Sequence, residues 1–331
     1  MPVLKKIFTY PARNLLLVIP SVMILGFVVG LFHDTSFLKS YILLFTVLMI
    51  YPTMVGFRFG EGLKLGDGKV FWLALLVNFL LTPVVAVALA SAFFKGSADL
   101  MAGLLVMAII PTSGMTISWT MLFGGNVGAA VRLTVIGLVL GAMVAPWYLV
   151  LTVGKHVPVD PLAITRTILA VIVIPLLLGY LTQTLLRRWL GTRGFDEKVR
   201  PYLPSLSVWA MLGLIFTSIS LKAKGIVGDL TALLNILAAL VLYYAAVFVA
   251  STLIGRWFLR REDAVALVYG TAMRNLSVAL GLAVTAFGPS SALIITLAFL
   301  IQVQGAAWYG KLLGTYEWFS RTSRVGGGVK A

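Results

Sequence analysis

Apolar residues occur in long, nearly unbroken runs from residue 14 to about residue 313. At about 1.5 Å of helix per residue, a run of about 20 residues crosses a hydrocarbon core of about 30 Å. No soluble core could bury so many runs of this length. The pattern therefore predicts an all-α polytopic membrane protein with ten transmembrane helices, at residues 14–32, 38–57, 70–94, 100–123, 127–153, 162–186, 203–221, 230–255, 264–287 and 290–313.

The loops between these runs alternate in positive charge. One side carries most of the Lys and Arg residues, such as Arg13, Arg58 and Arg187, whereas the other side carries isolated lysines such as Lys39 and Lys95. Because the loops rich in Lys and Arg remain in the cytoplasm, an even number of spans with both termini in the cytoplasm fits the alternation. This pattern predicts the inner, cytoplasmic membrane as the location of the protein.

Composition changes the expected partners. Of 331 residues, 60% are hydrophobic and 11% are charged, whereas about a quarter are charged in a soluble domain. The net charge of +15 would suggest nucleic acid for a soluble protein, but these charges lie in membrane loops, and we expect no nucleic-acid partner. The absence of cysteine excludes disulfides and thiolate metal sites. We expect the partners of the protein to be the lipid bilayer and a small-molecule substrate. We expect no metal or cofactor, and an oligomeric state of monomer or homodimer.

The two halves of the chain resemble each other. Ile-Pro occurs at Pro20 in the first span and at Pro175 in the sixth, and Phe-Gly ends the fourth span at Gly124 and the ninth at Gly288. Five spans is an odd number, so the second half would enter the membrane from the opposite side, as in secondary transporters. We predict inverted repeats at 14–153 and 154–315, between an N-terminal segment (1–13) and a tail (316–331), although chance could also produce such short matches.

Two corresponding spans contain helix-breaking or polar residues at mid-membrane depth. Pro111 and Gly114 weaken the fourth span, next to the hydroxyls of Thr112, Ser113 and Ser118. The ninth span has Arg274 and Asn275 near its centre. Matching breaks in the two halves of a transporter are the best sequence indication of its binding site. The alternative is that small polar residues only allow helices to pack closely.

Arg274 carries a charge deep in the ninth span. Such a charge costs about 3 to more than 10 kcal/mol unless it is paired or hydrated, and all 11 acidic residues lie in loops or at span ends. Arg274 must therefore use backbone carbonyls at a helix break, water or a bound anion. We favour a role in binding an anionic or strongly dipolar substrate. The alternative is a structural arginine that neutralises the carbonyls at helix C-termini.

Four segments carry a resemblance to a known family. They are LMIYPTMVGFRF at 48–59, IPTSGMTISW at 110–119 with GGN at 124–126, LIFTSISLKAKG at 214–225, and TAMRNLSVALGLAVTAFG at 271–288. The chain resembles the bile acid:sodium symporter superfamily, and most closely its arsenical-resistance (arsenite permease) branch. The resemblance implies two inverted five-helix repeats that form a panel domain and a core domain, with broken fourth and ninth helices crossing at the midplane.

The chain departs from both branches at the residues that the resemblance associates with their substrates. The arsenite branch has Cys at the position of Thr112 and Glu at that of Ser277, and the sodium-coupled branch has sodium ligands near Gly270 and at Arg274. These departures disfavour Na⁺, and the coupling ion, H⁺ or Na⁺, stays open. From the residues and the resemblance together, the candidate substrate-binding residues are Thr112, Ser113, Met115, Ser118, Trp119, Met273, Arg274, Asn275 and Ser277, with Pro111 and Gly114 breaking the helix and Asn126 in support.

These features predict a secondary transporter that moves a small anion or oxyacid, such as arsenite, by alternating access. A sodium-coupled organic-anion symporter is the main alternative. An intramembrane enzyme would need a nucleophile–base pair, metal ligands or paired carboxylates at membrane depth, and the spans contain none of these. A channel fits the composition equally well, but the inverted repeat with broken helices favours a carrier.

Overall fold

The computed structural model describes residues 2–56, 68–152, 162, 166–167 and 169–315. Every regular element in these ranges is helical. The predicted tail (316–331) and the loop residue Arg58 lie outside the described residues. The helices are α1 Pro2–Arg13, α2 Leu15–Phe32, α3 Ile42–Val55, α4 Lys69–Leu76, α5 Thr82–Phe93, α6 Ala98–Ile109, α7 Gly114–Leu122, α8 Val127–Thr152, α9 Ile174–Lys198, α10 Leu203–Gly228, α11 Leu230–Phe258, α12 Arg261–Ala272, α13 Leu276–Ala286 and α14 Pro289–Thr315.

Eight helical segments among the described residues are long and apolar enough to cross a membrane. The pair α6 and α7 adds a ninth, whose two parts are bent by 57°. These nine segments coincide with nine of the ten predicted spans. The sixth predicted span includes residues that the structure does not describe, and its second half lies in α9. An all-helical membrane protein is confirmed, and the count of ten spans stays a prediction.

Burial distinguishes lipid-facing spans from central ones. Only 17% of the apolar window of α2 is buried, and side chains such as Leu17, Ile24 and Phe32 face outwards. By contrast, 94% of the window that α12 and α13 share is buried. A helix that is apolar all round faces lipid where its neighbours leave it uncovered. The broken ninth span therefore lies at the centre of the protein.

The helices divide by packing into two groups. Helices α2, α3, α9 and α10 pack on one another, and we call them the panel helices. The core helices are α4–α8 and α11–α14, which pack around the two broken spans. The groups meet where α3 contacts α13 and where α10 and α2 contact α14. A cavity lies between the groups.

Glycines allow the closest helix contacts inside each group. In the panel, a Cβ atom on Gly30 of α2 would lie 2.1 Å from the Ser220 carbonyl oxygen of α10. In the core, a Cβ atom on Gly103 of α6 would lie 2.5 Å from the Ser291 carbonyl oxygen of α14. Small residues let transmembrane backbones approach in this way, because packing rather than water exclusion drives helix association in lipid.

Candidate functional site

The break in the fourth span follows directly from Pro111. Because the proline ring clashes with a preceding helical residue, Ile110 is extended (φ −87°, ψ 96°) and ends α6. Thr112 then adopts a positive φ of 43°, which is rare for a β-branched residue. Ser113 is extended again and begins α7 as its N-cap residue. The predicted break in this span is therefore present.

The break in the ninth span contains neither proline nor glycine. Met273 (φ −81°, ψ 81°) and Asn275 (φ −80°, ψ 74°) are the central residues of two successive inverse γ-turns. The Arg274 N–H donates to the Ala272 carbonyl at 3.0 Å, and the Leu276 N–H donates to the Arg274 carbonyl at 2.9 Å.

The two breaks are hydrogen-bonded to each other through their backbones. The Ser113 N–H donates to the Met273 carbonyl at 3.1 Å, and the Asn275 N–H donates to the Ile110 carbonyl at 3.3 Å. Buried backbone groups freed from a helix need partners, because no water is available in the membrane interior. At the crossing, each break satisfies a donor and an acceptor of the other.

Arg274 is fully buried and bonds to the C-terminal ends of two half-helices. Its guanidinium donates to the carbonyls of Met107 and Ala108 in the last turn of α6, and to the carbonyl of Thr271 in the last turn of α12. It also donates to the side-chain oxygen of Asn78. The carbonyls of a last helical turn lack partners within the helix and carry partial negative charge. The contacts thus favour the structural alternative for Arg274.

Two amide side chains complete this network, and sequence reasoning missed both. Asn78, in the π-helical segment Val77–Leu81 between α4 and α5, donates to the Gly270 carbonyl at 3.1 Å. Gln302 of α14 accepts from the Arg274 N–H at 2.8 Å and donates to the Arg274 carbonyl at 3.2 Å. The signal that could have found them is an amide side chain deep in an otherwise apolar span.

The N-terminal ends of the other half-helices border the cavity between panel and core, which has a volume of 400 Å³. Ser113, Gly114, Met115 and Ser118 line it from the fourth span, and Asn275, Ser277 and Val278 line it from the ninth. The panel contributes mainly apolar side chains together with Thr53 and Ser207, and Arg200 lines the cavity from the segment between α9 and α10.

The electrostatics of the cavity favour negative charge. Helices α7 and α13 begin at it, and helix N-termini carry partial positive charge. At α13 the Asn275 side-chain oxygen caps the helix by accepting from the Val278 N–H at 3.2 Å. In the described part of the chain, no side chain caps α7, and the buried Ser113 hydroxyl has no hydrogen-bond partner. Arg200 is the charged residue among the described lining residues, and it donates to Asp196 at 2.9 Å and to the Gly56 carbonyl at 3.2 Å.

The remaining candidate residues lie outside the cavity lining. Thr112 is buried and donates to the Leu133 carbonyl at 3.1 Å, and Met273 is fully buried. The Trp119 ring stacks against the Tyr269 ring, with 6.1 Å between the ring centroids. Asn126 ties the start of α8 to α12, because its side-chain nitrogen donates to Asp263 at 2.8 Å. A direct role of these residues in binding stays a prediction.

Comparison with known proteins identifies the family. The model of the "Sodium Bile acid symporter family" matches residues 42–229, more than half of the 331 residues. The chain belongs to this family. Among curated relatives, an uncharacterised protein (YbaS) of Bacillus subtilis is 28% identical over 74% of this chain and 79% of its own length.

Two other curated relatives have names that state a function. Arsenical-resistance protein Acr3 of Corynebacterium glutamicum is 25% identical over 78% of this chain and 73% of its own length. A probable chloroplastic sodium/metabolite cotransporter (BASS5) of Arabidopsis thaliana is 25% identical over 69% of this chain and 56% of its own length. The protein is thus a membrane transporter of the sodium bile acid symporter family.

Proposed function

We propose that this protein is a secondary transporter of a small anion or oxyacid, arsenite-like in size and chemistry. The observation that supports this most strongly is the convergence of two helix N-termini on a cavity in which the buried Ser113 hydroxyl has no partner among the described residues. An oxyanion would accept hydrogen bonds from N–H groups in the first turn of α7, which carries no side-chain cap among the described residues, and from the hydroxyl, as anions do at helix N-termini.

Alternating access would proceed by movement of the panel helices against the core helices, in a fold of ten spans arranged as two inverted repeats. The cavity is bordered by Ala12, Gly56 and Arg200, at the ends that the positive-inside rule assigns to the cytoplasm. At the opposite end, Lys222 of the panel donates to the Ser290 hydroxyl of the core at 2.8 Å. This arrangement supports a state in which the cavity is open towards the cytoplasm. The protein would lie in the inner membrane of the cell.

The surroundings of Gly270 and Arg274 argue against the alternative of a sodium-coupled symporter. A Cβ atom on Gly270 would lie 2.8 Å from Leu133, so a ligating glutamate there would displace that side chain. The positively charged guanidinium of Arg274 already donates hydrogen bonds to the neighbouring oxygens. We therefore propose transport that is independent of Na⁺, which flux measurements across a Na⁺ titration would test.

The substrate test uses everted membrane vesicles that contain the protein, with arsenite and a panel of small organic anions as substrates. Ser113→Asp places a carboxylate in the cavity, yet Asp is an equally good N-cap and favours the helix dipole, so α7 should remain folded. We expect this variant to lose anion transport. Ser113→Ala should raise KM by about 10-fold or more, since a hydrogen bond to a charged group contributes about 1.5–3 kcal/mol.

Each outcome separates the alternatives. Full anion transport by a folded Ser113→Asp variant would contradict the proposed site. Flux that depends on Na⁺ in the wild type would favour the organic-anion symporter. Transport of organic anions without arsenite would keep the site and change the substrate.

A further inference from the structure

An apolar groove of 930 Å³ lies between α11 and α14, on a face of the core that is exposed to lipid. We call it the outer groove. The two helices run parallel, since Tyr244 donates to Gln302 and, further along both helices, Thr252 bonds to Tyr309. The buried rings of Phe248 and Tyr309 stack at its floor, with 4.9 Å between their centroids. Its walls include the exposed side chains of Val249, Leu253, Trp308 and Leu312.

The outer groove has the length of one lipid in one leaflet. Val241, at its deep end, lies near the middle of α11, and Arg256, at its other end, lies in the last turn. The two residues are 15 positions apart, which corresponds to about 22 Å of helix. A bilayer with its head-group regions is about 40–45 Å thick, so one leaflet takes about half of that distance. An acyl chain in the groove would therefore reach from the middle of the membrane to the head-group level.

Arg256 supplies a positive charge at the head-group end of the outer groove. Its side chain is exposed, and it forms no ion pair with another residue that the structure describes. The positive-inside rule assigns this end of α11 to the cytoplasm. The cytoplasmic leaflet carries anionic lipids, and basic pockets between transmembrane helices on that side bind their head groups.

A second copy of this chain is the other occupant to consider. Gln304 lines the groove near the middle of α14, and a glutamine at that depth can bond to another helix. A two-fold interface, however, brings the same surface of both copies together. Two concave grooves would then face each other without filling, and the two Arg256 side chains would lie at the same depth. These features favour a lipid.

We infer that the outer groove binds an anionic phospholipid, with one acyl chain along Phe248 and Tyr309 and the phosphate at Arg256. The groove shares no lining residue with the cavity between panel and core. The inference therefore goes beyond the proposed function and does not rest on it.

Native mass spectrometry of the purified full chain in detergent tests the inference. The probes are phosphatidylglycerol and phosphatidylcholine with identical acyl chains. The wild type should retain one phosphatidylglycerol more tightly than phosphatidylcholine. Arg256→Gln should weaken phosphatidylglycerol binding by about fivefold, the factor that corresponds to about 1 kcal/mol per arginine, and leave phosphatidylcholine binding unchanged. Arg256→Lys keeps the charge and should keep the preference.

Two further variants locate the effect. Val249→Trp places a large ring on the exposed wall of the outer groove and should weaken binding of both lipids, while the melting temperature of the lipid-free protein stays near that of the wild type. Arg188→Gln removes an exposed arginine of α9, outside the groove, and should keep the preference for phosphatidylglycerol.

Three results would overturn the inference. The first is a full preference for phosphatidylglycerol in Arg256→Gln, or an equal loss of that preference in Arg188→Gln. The second is binding of both lipids by Val249→Trp as tightly as by the wild type. The third is a two-chain species that disappears in Gln304→Leu, together with lipid binding that Arg256→Gln does not change, which would assign the groove to a second copy. Each measurement is made without a transported anion, so it is independent of the test at Ser113.

Discussion

At the scale of single residues, neighbouring positions of the fourth span have opposite environments. Ser113 and Ser118 line the cavity, whereas Thr112 is fully buried against Leu133. The reversal arises from the positive φ of Thr112, which turns the chain between two extended residues. The sequence predicted the break from Pro111 but not which hydroxyls would face the cavity, because that depends on the local backbone path.

This difference can be tested directly, because the chain contains no cysteine. We expect Ser118→Cys to react with a charged, water-soluble methanethiosulfonate reagent, and Thr112→Cys to remain unmodified. At Ser118→Cys the anionic reagent should react faster than the cationic one, relative to a small thiol in solution, because the helix N-termini attract negative charge. Mass spectrometry of the intact protein measures both rates, and rapid modification of Thr112→Cys would contradict the assigned orientation.

At the scale of elements, hydrophobic runs predicted all nine spans seen among the described residues, because a lipid-facing helix must be apolar along its whole length. The break in the ninth span was predicted from the polar pair Arg274 and Asn275 and from the family resemblance. What the sequence could not supply was the direction of the Arg274 side chain, because its acceptors lie in α6 and in the segment that carries Asn78. Partners this distant in sequence become visible only when the spans are packed.

Helix packing gives a second prediction at this scale. Gly30→Ala should destabilise the protein by about 1–3 kcal/mol, the usual cost of overpacking, because its Cβ atom would meet the Ser220 carbonyl of α10. The matched control is Gly225→Ala on α10, whose Cβ atom would have no neighbour within 4 Å. That change should be neutral or stabilise by about 0.5–1 kcal/mol, since alanine is the better helix former. Unfolding in a denaturant gradient in detergent measures both, and equal effects would contradict the observed packing.

At the scale of the whole molecule, panel and core meet on both sides of the crossing, and the Lys222–Ser290 contact joins them at the end remote from Arg200. If the groups move against each other during transport, this contact must separate in each cycle. The basic loops predicted an orientation of the chain, but a contact between α10 and α14 could not be read from periodicity.

A covalent link between the panel and the core at this end should stop transport. In the variant with Lys222→Cys and Ser290→Cys, a short bifunctional thiol reagent should abolish flux, and a reductant that cleaves the link should restore it. Each single-cysteine variant treated with the same reagent should keep its flux, which controls for modification itself. Unchanged flux through a fully cross-linked protein would show that the two groups do not separate at this end.

The hydrogen bonds that join the two breaks run between backbone groups, from Ser113 to Met273 and from Asn275 to Ile110. Every residue except proline carries both a backbone N–H and a carbonyl, so most replacements at these positions keep the crossing while changing the lining of the cavity. The backbone structure of the crossing therefore does not depend on the side chains that line the cavity. Substitutions in the lining can change the substrate while the fold is kept. Relatives with about a quarter of their residues in common could in this way diverge in substrate while the membrane architecture persists.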